Sequence, residues 1–423
     1  MNKQKMLFPT ILMLLFFICS AESLIVGTNS APLAWTIYTN VHYVLFILLG
    51  LRFISVKSRK IHLLVPAFLV IFFIVISFAV SDGYNKISTY MHICTVIANA
   101  WLIVEQFPFD KFAAVFEKAI FVMAVYSLVV YVIALVAPQI IRILPVIENI
   151  AGNRYYTAGL AIISQNGLES GSLFRSFGVF REPGMFQIFL NISFCIYLFY
   201  QKESDFRKIT VYILTILSTV STAGIIAMLL VFIIFTIVGD SKRKGLIIML
   251  LIAAVVLLSW LTSTYDVFSN AMNKLENEED MSTVARLYSV IANFKIWISY
   301  PIFGSGMSVN SILFPQIILE ETKVEVADST NTYMYILSCF GIVPFLIFMR
   351  GLYRTSKMII SRYAFLLFLV FLVLLAGENF LYSSFAWIFA FYGYTIMNSK
   401  QNNQSIYDRR MEQGVKPNQK YVF

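Results

Sequence analysis

Charge is what this sequence has least of. Asp, Glu, Lys and Arg make up 13% of its 423 residues, against about 25% in an average soluble domain. A water-soluble globular chain is thereby excluded. Histidine is rarer still: His42, His62 and His92 are the whole supply, and they are scattered. No Asp-x-Asp pair accompanies them, so no metal cluster is predicted and no cofactor is called for. The four cysteines, Cys19, Cys94, Cys195 and Cys339, have no CxxC and no paired spacing. They read as small core hydrophobes, not as a disulfide framework or metal site.

What is present is apolar: 59% of the chain is hydrophobic. About twelve continuous apolar stretches, each roughly 17–25 residues, run from Met6 to Met397, each long enough to cross a bilayer. Lipid cannot satisfy a bare backbone, so such stretches form helices or a closed barrel. Continuous runs without two-residue alternation exclude the barrel. The expected fold is an all-α polytopic membrane protein with two long outward-facing loops and one in-plane amphipathic helix.

The formal charge of +9 could suggest nucleic acid, but its placement points elsewhere. Clusters such as Lys57-Ser58-Arg59-Lys60, Lys242-Arg243-Lys244 and Arg350 to Arg362 recur between spans. Twelve crossings put 22 of the 32 basic residues on one side. Short cytoplasmic loops retain Lys and Arg, so both termini are expected in the cytoplasm and no nucleic-acid partner is expected. Met1 to Ser23 has the look of a signal peptide, but the apolar run continues through Leu24, Ile25 and Val26, and a retained helix is expected. The apolar stretch between Lys208 and Asp240 has basic flanks on both sides. An even crossing number therefore predicts two short helices, 209–220 and 223–239, turning at Ser221-Thr222.

The division expected is five helices in 1–137, a first outer loop at 138–183 and four helices in 184–262. A second outer loop at 263–329, three helices in 330–397 and a cytoplasmic tail at 398–423 follow. The first loop carries Arg142, Arg154, Arg175 and Arg181 and no Lys. Arginine offers a planar fork that matches phosphate oxygens bidentately. The second is acidic, which suits sugar hydroxyls or a solvated surface. It also holds an amphipathic stretch, 284–298, with Val284, Leu287, Val290, Ile291, Phe294, Trp297 and Ile298 at helical spacing. That stretch predicts a helix lying on the membrane surface.

The densest motif is Phe177-Gly178-Val179-Phe180-Arg181-Glu182-Pro183-Gly184-Met185-Phe186-Gln187. Pro183 suits the first turn of a helix. A helix N-terminus favours an anion, and Arg181 adds a fixed positive charge there. The plainer alternative is that Arg181 snorkels to the interface and Glu182 caps the helix.

The run FREPGMFQ in this motif resembles the outer-face signature of Wzy-type O-antigen and capsular polysaccharide polymerases. Residues 286–306, RLYSVIANFKIWISYPIFGSG, resemble the arginine, in-plane helix and glycine turn of the O-antigen ligase/polymerase superfamily. Residues 331–341, NTYMYILSCFG, resemble its Asn-to-Gly element, and STVSTAG at 218–224 is a weaker match. Pro183, Gly184, Gly304, Gly306 and Gly341 are the structural positions of these motifs. O-antigen ligases carry a histidine before the Asn; this chain has Thr330. It also has Pro344 where the ligases have Gly, Thr or Tyr.

The resemblance implies a metal-independent glycosyltransferase acting outside the cytoplasm of a bacterium, in its inner membrane. It would polymerise repeat units carried on a polyprenyl (undecaprenyl) diphosphate into O-antigen, lipopolysaccharide, capsule or exopolysaccharide. The lipid-linked glycan and the bilayer are its partners, with a flippase and a chain-length regulator beside it. A diphosphate leaving group needs positive charge where negative charge develops. Arg181 and Arg286 are the first choices, with Arg175 and Arg154 in support. Glu182 is the expected base, with Asp328 and Glu378 behind it and Asn331 as a further substrate contact. The alternatives are a ligase-like transferase, a polysaccharide flippase or transporter, and a sensor without catalysis.

Overall fold

A computed structural model describes residues 10–15, 23, 34–55, 61–81, 86–149, 152–169, 174–238, 281–326 and 328–396. The chain is a multi-pass helical membrane protein. Four helices α1 to α4 come first: Ala34–Ser55, Ile61–Val80, Ile87–Gln106 and Phe109–Val136. A short α5, Pro138–Arg142, leads into three strands, β1 (Val146–Glu148), β2 (Arg154–Thr157) and β3 (Ile162–Ser164), and a short α6, Gln165–Glu169. Then come α7 (Pro183–Cys195), continued as a π turn through Tyr200, α8 (Phe206–Ser218) and α9 (Thr222–Val238). The remainder is α10 (Met281–Ser299), α11 (Gly306–Thr322), α12 (Thr332–Phe340), α13 (Ile342–Ile359), α14 (Ala364–Ala376) and α15 (Ser384–Tyr392).

Length and composition show which helices can span. Four described segments are long and apolar enough: Leu63–Val80, Ile87–Gln106, Phe109–Val136 and Pro183–Tyr200. Thr39–Ile54, Thr222–Val238 and Ala364–Ala376 are apolar but shorter. The expected first span and the basic cluster at 242–244 lie largely or wholly outside the described residues, as does the tail from 397. Helix α2 shows the partition along one element. Leu63, Ala67, Val70 and Ile74 are buried, while Leu64, Val65, Phe68, Phe72 and Val75 are exposed. The exposed stripe is apolar, as a lipid-facing surface must be.

Helix α7 is the axis of the bundle. Every residue from Pro183 to Phe199 is buried, and α4, α8, α9 and α14 pack around it. Phe189 supplies much of that packing, with ring centroids 4.4 Å from Phe180 and 4.2 Å from Phe385. The 209–239 region is the hairpin that the charge pattern predicts, helices α8 and α9 meeting at a turn over 219–221.

Three features depart from an all-helical reading with plain loops. The segment 138–183 folds a three-stranded antiparallel sheet in the order β1-β2-β3, because Tyr155, Tyr156, Ile162 and Ile163 bury apolar surface there. A second helix, α11, follows the 300–305 turn inside the segment read as a loop. The element beginning at Asn331 is also not one helix. It breaks at Gly341, where φ is +83°, and α13 starts afresh.

Candidate functional site

The Glu182 backbone is extended and caps α7, with Pro183 in the first turn. The Glu182 side chain makes no capping bond, so its carboxylate is left to other partners. Arg181 lies between two acids: its Nη1 is 3.5 Å from Glu182 Oε1, and its Nη2 donates to Glu378 Oε2 at 3.3 Å. The Glu378 carboxylate is nearly buried, with 8% of its side chain exposed, whereas that of Glu182 is 51% exposed. One acid is therefore locked under the arginine and the other is open to a visitor.

Gly184 makes this arrangement possible. A β-carbon there would lie 2.6 Å from Glu378 Oε1, closer than any real contact. Glu378 is carried by the link between α14 and α15. Its backbone carbonyl accepts from the Thr332 hydroxyl, and that same hydroxyl oxygen accepts from Phe380 N–H at 3.0 Å. Thr332 thus pins the link to the first turn of α12. Beside it, Asn331 caps α12 by accepting from Met334 N–H at 3.0 Å. Its own Nδ2 is buried with no hydrogen-bond partner among the described residues.

Two further arginines converge on this place. Arg286, near the start of α10, reaches the same link: a β-carbon on Gly377 would lie 3.9 Å from its Nε. Arg175 donates from Nε to the Thr219 carbonyl at 2.8 Å, and Ser176 N–H donates to Ser218 O at 2.8 Å. The 218–224 motif thereby becomes a seat for Arg175. Burial lowers the pKa of Arg175 from its ordinary value, and the Arg286 charge adds to that; Glu182 and Glu378 oppose them. Three guanidinium groups and two carboxylates therefore share one neighbourhood. An anion entering it meets a net positive field and one buried amide donor close by.

Two sequence-chosen residues go elsewhere. Arg154 pairs with Glu148 across the β1–β2 pair at 3.2 Å, both well exposed. Side chains alternate along a strand, and the next residue, Tyr155, is the one directed at the site. It is buried, its ring lies 5.4 Å from Phe177, and its phenol pKa is raised by burial and then by Glu182. Asp328 is exposed, and its charge acts on Tyr335 and Tyr382 rather than on Arg175.

The two glycine motifs close on each other. A β-carbon on Gly304 would meet the Cys339 carbonyl at 2.3 Å, and one on Gly341 would meet Ile302 O at 2.0 Å. Ser305 N–H donates to Ser338 O at 2.8 Å, and Ile342 N–H to Pro301 O at 3.2 Å. Gly306 backs onto Ser81, with Met307 N–H donating to the Tyr90 hydroxyl at 2.8 Å.

A buried polar chain reinforces this clasp. Asn293 of α10 donates to Ser329 Oγ at 2.9 Å and accepts from Ser338 Oγ at 2.6 Å. Asn310 of α11 donates to Ser338 Oγ at 2.8 Å. Thr330, at the histidine position of the resemblance, donates its N–H to Ser289 Oγ at 3.2 Å. The helix bearing Arg286 is therefore tied to the Asn331 cap. Among the described residues no group of three His, Cys, Asp or Glu could hold a metal ion.

Residues 209–349, one third of the chain, match the family model described as O-Antigen ligase. The match takes in Thr219, Arg286, the 300–306 turn and Asn331. Arg175, Arg181, Glu182 and Glu378 lie outside it. No curated protein and no solved structure matches the chain. The match supports a role in processing glycans of the O-antigen kind.

Proposed function

We propose that the chain polymerises glycan repeat units carried on a polyprenyl diphosphate, at the outer face of the cytoplasmic membrane. The observation carrying this reading is the meeting of Arg175, Arg181 and Arg286 with Glu182 and Glu378 at the N-terminus of α7. A diphosphate leaving group gains negative charge as the glycosidic bond breaks. Preorganised donors aimed at that charge lower the barrier. Arg181 and Arg286 take the diphosphate, and Arg175, fixed by Thr219, adds to the field. Glu182, the exposed acid, removes the proton from the acceptor hydroxyl. Glu378 holds Arg181 in place, and Asn331 offers its free amide to the substrate. The new glycosidic bond joins the growing chain to the acceptor unit, and polyprenyl diphosphate leaves.

A ligase-like transfer is the second reading, favoured by the name of the matched family and opposed by Thr330 where ligases have histidine. Deleting the gene and sizing the lipid-linked glycan on each membrane face separates the two. The polymerase reading expects single repeat units, accessible from outside, and no polymer. Long chains stranded on the lipid carrier would establish the ligase instead. Single units confined to the cytoplasmic face would make the chain a flippase.

A further inference from the structure

Helix α7 and its π turn span 18 residues, Pro183–Tyr200, or ~27 Å at the α-helical rise. That is close to the ~30 Å of a bilayer's hydrocarbon core. The arginine cluster sits at the Pro183 end. At the Tyr200 end lies a cavity of about 670 Å³, in no contact with the residues assigned to glycan transfer. Its walls come from the end of α7, the link to α8, the end of α9 and the turn between α13 and α14.

The lining is amphipathic. Phe199, Phe235 and Met358 supply apolar wall, while Lys202, Glu203 and Arg362 supply charge. Neither Lys202 nor Glu203 forms an ion pair with another described residue. The Arg362 guanidinium lies 5.5 Å from the Tyr363 ring centroid and is exposed. Apolar wall beside exposed charge, at the end of a bilayer-length helix, is the lining an amphiphile needs. Its tails lie along the aromatic wall and its head meets the charges. Two cations match a phosphate diester. A purely anionic head group would set its charge against Glu203, whereas one that also bears an ammonium gives that carboxylate a partner.

We propose that this cavity binds the head group of an aminophospholipid of the leaflet opposite the transfer site. Lys202 and Arg362 take the phosphate, and Glu203 accepts from the primary ammonium. The inference does not rest on the glycan-transfer reading, since no residue is shared between the two sites.

The test uses the purified full chain in detergent and three short-chain lipids, phosphatidylethanolamine, phosphatidylglycerol and phosphatidylcholine. Binding is followed by native mass spectrometry and by the melting temperature. Phosphatidylethanolamine should bind about tenfold more tightly than either other lipid, the scale of one charge-assisted hydrogen bond. The quaternary head of phosphatidylcholine cannot donate to Glu203. The Lys202→Ala/Arg362→Ala variant should lose about tenfold or more in affinity for phosphatidylethanolamine. The isosteric Glu203→Gln should keep the lipid-free melting temperature and abolish the preference among the three. Equal binding of all three lipids to the wild type would overturn the proposal. So would a preference for phosphatidylglycerol, or a preference for phosphatidylethanolamine that survives Glu203→Gln.

Discussion

At the scale of single residues, Arg181 is the group on which both acids depend. Replacing it by Ala removes one cationic partner of Glu378, whose carboxylate is nearly buried. Arg181→Ala and Arg286→Ala should each abolish polymer while protein remains in the membrane, read by glycan sizing beside an immunoblot. Arg181→Lys should restore little, because a point charge cannot span two carboxylates and a diphosphate as a planar fork does. Normal chain length in both alanine variants would remove these arginines from the chemistry. Glu182→Gln should lower the transfer rate about 100-fold, the usual scale for losing a general base. Near-normal transfer would move that role to Glu378. Gly184→Ala tests the geometry without touching a charge. The added methyl must displace the Glu378 carboxylate, 2.6 Å away, so activity should fall steeply while the helix, which accepts Ala readily, persists.

At the scale of elements, the clasp between the 300–306 turn and the α12–α13 break makes a sharp prediction. Gly341→Ala meets both a left-handed φ of +83° and the Ile302 carbonyl. It should cost about 2 kcal/mol or more, seen as a lower melting temperature in detergent. Asn293→Ala strips a buried donor and acceptor from Ser329 and Ser338, a loss of about 1–3 kcal/mol. An unchanged melting temperature for Asn293→Ala would show that the polar chain holds nothing together.

This scale also shows what could be read from the chain. Helix α10 was legible because apolar residues recur at helical spacing, and its closing turn because Gly304 and Gly306 stand in the motif that follows. The hairpin of α8 and α9 was legible from basic residues on both flanks of one apolar run. The sheet was not: each strand is three or four residues long, too short for alternation to stand out. Arg154 was named for its guanidinium, and only the strand's register shows that the face directed at the site carries Tyr155 instead. Glu378 was named only as a reserve base behind Glu182. Its pairing with Arg181, 197 positions away, depends on tertiary packing that no local pattern encodes.

At the scale of the whole molecule, the bundle is organised end to end about α7. The arginine cluster and the sheet share one end, and the 201–205 and 359–363 links share the other. A thiol introduced by Leu160→Cys, on an exposed turn of the sheet, should react with a membrane-impermeant maleimide on intact cells. One introduced by Ser361→Cys should react only after permeabilisation. Both are placed in a Cys19→Ser/Cys94→Ser background, because Cys94 is only half-buried whereas Cys195 and Cys339 are buried. The opposite pattern would place the arginine cluster in the cytoplasm and end the case for transfer between exported glycans.

The carboxylates that flank Arg181 give the empty enzyme an anion of its own. On the proposed function, a visiting diphosphate must take the arginine from Glu378 and Glu182. Free inorganic diphosphate, with neither sugar nor prenyl chain to help, should compete poorly and inhibit only weakly. The spent carrier meets the same competition. On that reading the spent carrier holds Arg181 less tightly than it would a guanidinium with no carboxylates beside it.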